Sequence, residues 1–263
     1  MPELPEAETV ARELSQTIVG KSIVDVITRE PKGLNLPPEE FKQKAKGRIA
    51  TVQRRAKEVV LFLEDDGTLW LHMGVRSVVG YTDKDRLPPN PFLALIFDDG
   101  MAFYMDKTFM GHAHFASKDE FTHRSAEYGV EPLDKTFTMN KLKEILSAKQ
   151  GQAVKSILMD QQIIAGIGNI FSDEILHHAE IHPGRKAGTL SQEEIERLYN
   201  AIHDVLSQAV AAGGGPEWPS ISGKESTYKA EVHGQKVCLT HKAPVKKVSF
   251  GGRTAYVCEA IQP

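Results

Sequence analysis

The hydrophobic pattern changes period partway along the chain, and that change restricts the fold more than any single residue does. Up to about residue 130 the apolar residues come in short, β-branched runs: Ser22–Thr28, Ile49–Gln53, Val59–Glu64, Leu69–His72, Phe92–Phe97 and Met101–Met105. Between them, Asp65-Asp66-Gly67-Thr68 and Asp98-Asp99-Gly100 supply turn residues that close two hairpins. Strands at this spacing predict an antiparallel sandwich or barrel. One helix precedes them, Glu6 to Val19, with Val10, Leu14 and Ile18 on one face and Gly20 as its stop. Beyond Pro132 the period lengthens to that of a helix: Leu142, Ile145 and Leu146 share a face, then Val154, Ile157 and Leu158. A last helix is predicted from Gln192 to Ala212, capped by Ser191 with Glu194 three residues on, and stopped by Gly213-Gly214-Gly215-Pro216. A hairpin-like tail follows, Val237 to Val257. The fold class is therefore α+β, with domains expected at 1–127 (a β-sandwich), 128–222 (helical) and 223–263 (a small terminal hairpin).

Composition narrows the function classes. At roughly 150 residues per domain, 263 residues suggest two domains or one large one. With 41% hydrophobic and 25% charged residues, disordered and collagen-like classes are excluded. No apolar run approaches the roughly 18–20 residues of a membrane span, and the acidic start Met-Pro-Glu-Leu-Pro-Glu lacks a signal-peptide core, so a cytoplasmic protein without a membrane partner is expected. Two cysteines, Cys238 and Cys258, make no disulfide scaffold. A net charge of −3 argues weakly against nucleic acid, but charge is unevenly placed. Lys42 to Lys57 holds seven basic residues and no acidic one, and Lys229 to the end holds six basic and two acidic. Such segments suit phosphate contacts, because each neutralised phosphate releases counterions; equally, a lysine-rich stretch can be a solvated face.

Pro2 carries the most chemical information. Removal of Met1 before a small second residue leaves a secondary amine at the terminus. An α-amino group titrates near about 7.7–8.0, so much of it is unprotonated and nucleophilic close to neutrality. It can attack a sugar carbon and form an iminium. Glu3 and Glu6 lie beside it at the opening of the first helix, where the dipole favours carboxylates and proton donors are at hand. Proline and glutamate are also ordinary first-turn residues.

Met-Pro-Glu-Leu-Pro-Glu-Ala-Glu-Thr-Val resembles the N-terminus of the formamidopyrimidine-DNA glycosylase and endonuclease VIII family of base-excision repair enzymes. Four further segments agree in order. Val52-Gln-Arg-Arg-Ala-Lys57 resembles the strand and turn presenting the family's phosphate-binding lysine, and Tyr128-Gly-Val-Glu-Pro-Leu133 its interdomain linker. Leu158-Met-Asp-Gln161 through Ala165-Gly-Ile-Gly-Asn-Ile-Phe-Ser-Asp-Glu174 resembles its helix–two-turns–helix motif. Cys238-x2-His241-x16-Cys258-x2-Ile261, with Gly251-Gly252-Arg253 inside, falls in the register of its C-terminal zinc finger. The resemblance implies a bifunctional DNA glycosylase and abasic-site lyase acting on damaged double-stranded DNA as a monomer. Pro2 would be the nucleophile, Glu3 the proton donor to the sugar ring oxygen and Glu6 an orienting group. Lys57 is both a catalytic candidate and, with Asn169 and Arg253, a backbone contact. Gly166 and Gly168 would let the chain bend tightly beside a phosphate, and Asn169 would offer its side chain and the next helix's N-terminal amides. The same motif occurs in binding proteins that do no base chemistry, so it supports DNA binding only.

Three segments depart from the family pattern. Ile261 stands at the fourth zinc position and cannot coordinate, whereas structural zinc takes four ligands. Two readings are open: a metal-free hairpin held by Val237, Val248, Phe250 and Tyr256, which is the expectation, or zinc bound by Cys238, His241 and Cys258 with His233 as the fourth ligand. In the loops that fill the gap left by an everted base, Val75 stands for a methionine, Phe109 for the arginine that reads the partner base, and Met110 for the phenylalanine wedge. An apolar wedge still unstacks a duplex, but the hydrogen bonds that recognise cytosine are gone; Arg76 is a candidate substitute. Third, the long loop that closes over 8-oxoguanine in purine-specific members is here the short Gly213–Tyr228, in which Trp218 or Tyr228 is a candidate to stack on an extruded base. The preferred lesion stays open, between oxidised purines and oxidised pyrimidines or hydantoins. A damage- or abasic-site-binding protein with little excision is the rival function.

Overall fold

The computed structural model describes residues 1–28, 31–250 and 252–262. The Phe250 side chain and Gly251, both named above, lie outside the described residues. The chain forms two compact units, Met1–Glu127 with Glu217–Thr227, and Tyr128–Pro216 with Tyr228–Pro263. Residues 217–227, which the sequence pattern places across the second and third domains, thus pack with the first unit, and the terminal hairpin packs with the helices.

The first unit opens with α1 (Leu4–Ile18). Its start is set by a reciprocal cap: the Glu3 backbone N–H donates to Glu6 Oε2 at 2.9 Å while the Glu3 side chain accepts from the Glu6 backbone. Leu4, Ala7, Val10, Ala11, Leu14 and Ile18 are buried, the i, i+3, i+4 stripe of an amphipathic helix. That stripe packs on β3 (Gly47–Arg55) and β4 (Glu58–Leu63). These belong to a five-stranded antiparallel sheet in the order β1 (Ser22–Ile23), β3, β4, β5 (Gly67–His72), β9 (His112–Ser117). The second sheet runs β2 (Asp25–Thr28), β7 (Leu93–Phe97), β8 (Gly100–Met105), β6 (Val78–Thr82). Both Asp-Gly hairpins form, β4–β5 and β7–β8. The single run expected at Ser22–Thr28 is two strands, one in each sheet, with Val24 at the switch and its N–H on the Ile96 carbonyl. A strand that changes sheets makes a corner of a two-layer sandwich. Helices α2 (Pro38–Lys44) and α3 (Lys118–Ala126) are not predicted from the sequence, because α2 buries only Phe41 and α3 buries nothing, so neither carries an apolar stripe.

The second unit holds α4 (Met139–Ala148), α5 (Val154–Met159), α6 (Asn169–His178) and α7 (Gln192–Ala211). The predicted Ser191–Glu194 capping box opens α7, and Gly213 and Gly214, at φ +92° and +111°, end it in a conformation that side chains disfavour. The tail is an antiparallel hairpin, β10 (Val245–Phe250) with β11 (Arg253–Cys258). Its packing differs from expectation: Val237 is 47% exposed, and the buried set is Val232, Cys238 and Cys258, against which Val245, Tyr256 and Ile261 pack. The segment before the hairpin docks on α6 through the Glu174 carboxylate, which accepts the backbone N–H groups of Glu231, Val232 and His233 at 2.7–3.1 Å. Among the described residues, no helix is long and apolar enough to cross a membrane.

Candidate active site and metal centre

Pro2, Glu3 and Glu6 are brought together by the cap that starts α1, and all three are buried. Burial, with the neighbouring Glu3 carboxylate, pushes the Glu6 pKa up to about 7. Withdrawal from water and a like charge both penalise the ionised form. A carboxyl poised near neutrality therefore sits four residues from the candidate nucleophile.

Lys57 is half-buried in the tight turn between β3 and β4, where Ala56 adopts φ +53°. The basic run leading to it is largely paired with carboxylates. Lys42 meets Glu39, Lys44 meets Glu40, Lys46 meets Asp25 and Arg48 meets Glu64. Arg54 bonds Glu8 at 2.9 Å, fastening β3 to α1. Most of that run is accordingly a face paired with this chain's own carboxylates.

Two of the departing loops, at 73–77 and 106–111, lie on either side of Tyr104. Tyr104, at the end of β8, donates its hydroxyl to the His72 carbonyl at 3.0 Å and accepts the Gly74 N–H at 2.9 Å. Asp106 then accepts the N–H groups of Thr108 and Gly111, pinching the 106–111 loop. A Cβ on Gly111 would collide with the Tyr104 hydroxyl oxygen, so only glycine fits there. The loop's tip turns outward: Phe109, at φ +55°, is 59% exposed and Met110 is 51% exposed, while Val75 is half-buried and Arg76 exposed. Two large apolar side chains held in water by a rigid loop are what an unstacking wedge requires. Trp218 is not available to stack on a base: it is 8% exposed within the core of the first unit, and its loop is pinned to α1 by Ile221 N–H on Glu13 at 2.7 Å. Tyr228 leans on Phe171 with ring centroids 5.6 Å apart.

In the second unit, Gln161 builds the two turns. Its amide donates to the Met159 and Ile167 carbonyls and its oxygen accepts the Gly166 N–H. Gly166 takes φ +92°, as the tight bend demands, whereas Gly168 is extended, a conformation open to other residues. Asn169 is the first residue of α6, and its Nδ2 donates to the Thr254 carbonyl at 3.0 Å, next to the exposed Arg253. The two backbone-contact candidates of this unit are thereby tied together. Beneath them lies an ion pair not predicted from the sequence: fully buried Lys155 reaches Asp173 at 2.6 Å and Ser172 at 2.7 Å. Its signal was a lysine inside the apolar stripe of α5.

The terminal hairpin collects four donors, not three. His177 of α6 joins Cys238, His241 and Cys258, their ligand atoms all within 4.8 Å of one another. His233, the fourth ligand considered from sequence, is engaged elsewhere, its Nδ1 2.7 Å from Asp173. Sequence pattern does not point to His177, which lies 61 positions from Cys238, in another element. A second group, Glu58, His72 and His112, suits a metal less well. The two rings stack at 9° and 4.5 Å, so their in-plane lone pairs run side by side instead of converging, and the Arg124 guanidinium lies 3.8 Å from Glu58. Burial and the adjacent imidazoles push the His112 pKa down to about 4.

The chain matches the formamidopyrimidine-DNA glycosylase N-terminal domain family over residues 1–112 and the formamidopyrimidine-DNA glycosylase H2TH domain family over residues 128–217. It is 34% identical to a formamidopyrimidine-DNA glycosylase of Shouchella clausii over all of this chain and 99% of that one. It is likewise 34% identical to a namesake of Geobacter sulfurreducens over the full length of both. Among solved structures, the Lactococcus lactis protein in complex with DNA containing an oxidised pyrimidine superposes with a TM-score of 0.90 at 28% identity, covering 99% of each chain. A complex of the LlFpg protein with a THF-DNA and an inhibitor gives 0.90 at 29% identity with the same coverage.

Proposed function

The chain belongs to the formamidopyrimidine-DNA glycosylase family, and from that premise we propose that it excises a damaged base from duplex DNA and then cleaves the abasic site, with Pro2 as nucleophile. The reading is carried by the buried cap of α1, which sets an N-terminal proline beside Glu3 and a Glu6 carboxyl that titrates at about 7. Once Met1 is removed, the Pro2 lone pair attacks C1′ of a nucleotide flipped from the duplex. The base departs with the electrons of its glycosidic bond and a proton. Glu3 protonates the ring oxygen as the sugar opens, leaving an iminium between Pro2 and C1′, and Glu6 orients the pair. Splitting one difficult displacement in two is the gain of covalent catalysis. Loss of a C2′ proton expels the 3′ phosphate, and a second elimination releases the 5′ phosphate, leaving a one-nucleotide gap. Water hydrolyses the iminium that remains. Lys57, Asn169 and Arg253 hold backbone phosphates and carry no sequence information. Cys238, His241 and Cys258 with His177 would hold a metal at the terminal hairpin, where it would keep the hairpin in shape and supply no bond-making chemistry.

Phe109 and Met110 fill the place of the flipped nucleotide by stacking. With Phe109 in place of the arginine that reads cytosine, and the exposed Arg76 of the neighbouring loop as the remaining candidate for that role, the opposite base is read weakly and the lesion set shifts from 8-oxoguanine toward oxidised pyrimidines or hydantoins. The exposed Phe109 also motivates a second reading, a damage-binding protein with little excision. A panel of single-lesion duplexes, each with all four opposite bases, separates them. Excision of pyrimidine or hydantoin lesions with less than about tenfold dependence on the opposite base, a span of about 1.4 kcal/mol, supports the proposal. Nanomolar binding of abasic analogues, with turnover on every lesion no faster than that of a Pro2→Gly variant, establishes the second reading instead.

A further inference from the structure

Zinc bonds of about 2.3 Å to sulfur and about 2.0–2.1 Å to nitrogen set the ligand atoms of a tetrahedral site roughly 3.3–3.8 Å apart. Cys238 Sγ stands 3.3 Å from His177 Nε2 and 3.4 Å from His241 Nδ1. Both cysteines are fully buried, and among the described residues neither is in a disulfide. The His177 and His241 rings meet at 70°, so their lone pairs can converge on one point, unlike the parallel rings of His72 and His112. Exposed His241 and a cavity of about 240 Å³ lined by His177, His241 and Ile261 give an ion a way in. Two thiolates and two imidazoles in this arrangement are the donor chemistry of zinc.

We propose that this chain binds one zinc ion through Cys238, His241, Cys258 and His177, so that α6 supplies the ligand Ile261 cannot, and that the ion clamps the hairpin to the helix carrying Asn169. A finger ligated only from its own hairpin would be held to the helix by hydrogen bonds, from residues 231–233 to Glu174 and from Asn169 to Thr254, and not by the ion. Here Asn169 holds the N-terminal end of α6 to Thr254, and His177, about 12 Å further along the helix axis, holds the other end to the cysteines. Arg253 is thereby fixed relative to Asn169, and the two meet the nucleic-acid backbone as one rigid pair. The proposal rests on the family reading only for the expectation of a metal in the finger; its test reads metal, not base excision.

The full-length protein, purified without a metal-binding tag and stripped by a chelator, is titrated with Zn²⁺ and, in parallel, with Co²⁺. The proposal expects one equivalent of zinc, and a cobalt spectrum with intense tetrahedral d–d bands and thiolate charge transfer. His177→Gln, which keeps much of the bulk of the ring, and His177→Ala should each weaken metal binding by at least about 100-fold, while His233→Ala binds as the parent does. Ile261→Cys added to His177→Ala should restore one equivalent and strengthen the thiolate charge-transfer band. Failure of the parent to take up stoichiometric metal, or parental affinity and spectrum in both His177 variants, overturns the proposal. A chain that binds zinc through His177 yet leaves damaged duplexes intact would keep this proposal and refute the catalytic one.

Discussion

Glu6 shows how one residue can be legible in sequence while its state is not. Its position in the first turn follows from the opening hexapeptide, but its burial does not, and burial sets its charge. A carboxyl whose folded pKa of about 7 exceeds its unfolded value of 4.5 stabilises the fold below the unfolded value, and that contribution is lost as pH rises through 7. Above pH 7 the folded state must ionise it at a disadvantage on the order of 3 kcal/mol. Glu6→Gln keeps an oxygen for the Glu3 N–H and removes the titration. Denaturant unfolding should then show a variant more stable than the parent at pH 8, by an amount that shrinks to near zero at pH 4; an equal difference at both pH values would contradict the burial argument. Pro2, Glu3 and Lys57 were likewise legible, because each lies in a contiguous motif. His177 and Lys155 were not, since their partners stand in other elements, and local pattern carries no information about which distant segments meet.

At the scale of elements, strands and helices with a one-sided apolar pattern could be read off the chain, and those without one could not. α1 and α7 carry full stripes and capping boxes. α2 and α3 bury almost nothing, and Ser22–Thr28 reads as one strand because nothing local marks the residue at which it changes sheets. The helix–two-turns–helix was readable as a motif, but what holds its helices together was not. Lys155 and Asp173 join α5 to α6 with both side chains inaccessible to water, and removing Lys155 takes from the buried Asp173 its one ammonium partner, leaving it His233 at 2.7 Å. Lys155→Met should cost about 3–5 kcal/mol, seen as a lowered urea midpoint, and Asp173→Asn added to it should recover part of the loss. A single substitution costing under about 1 kcal/mol would show that the pair does not organise the motif.

For the whole molecule, a net charge of −3 misleads because charge is segregated. The long basic run near the N-terminus is mostly paired off against carboxylates, and the residues argued to meet phosphate, Lys57, Asn169 and Arg253, lie in turns and at element ends. On the proposed reading, the sandwich carries the nucleophile, the wedge and Lys57, while the helices and hairpin carry Asn169 and Arg253. Catalysis as proposed depends on one bond, between the Pro2 nitrogen and a deoxyribose carbon. Borohydride reduces an iminium to a stable amine, so incubating the mature protein with abasic duplex DNA and borohydride, then mapping the modified peptide by mass, tests it directly. The prediction is a single adduct on the N-terminal peptide, located at Pro2. An adduct on Lys57 or any other lysine, or no adduct from protein that has lost Met1, would contradict it.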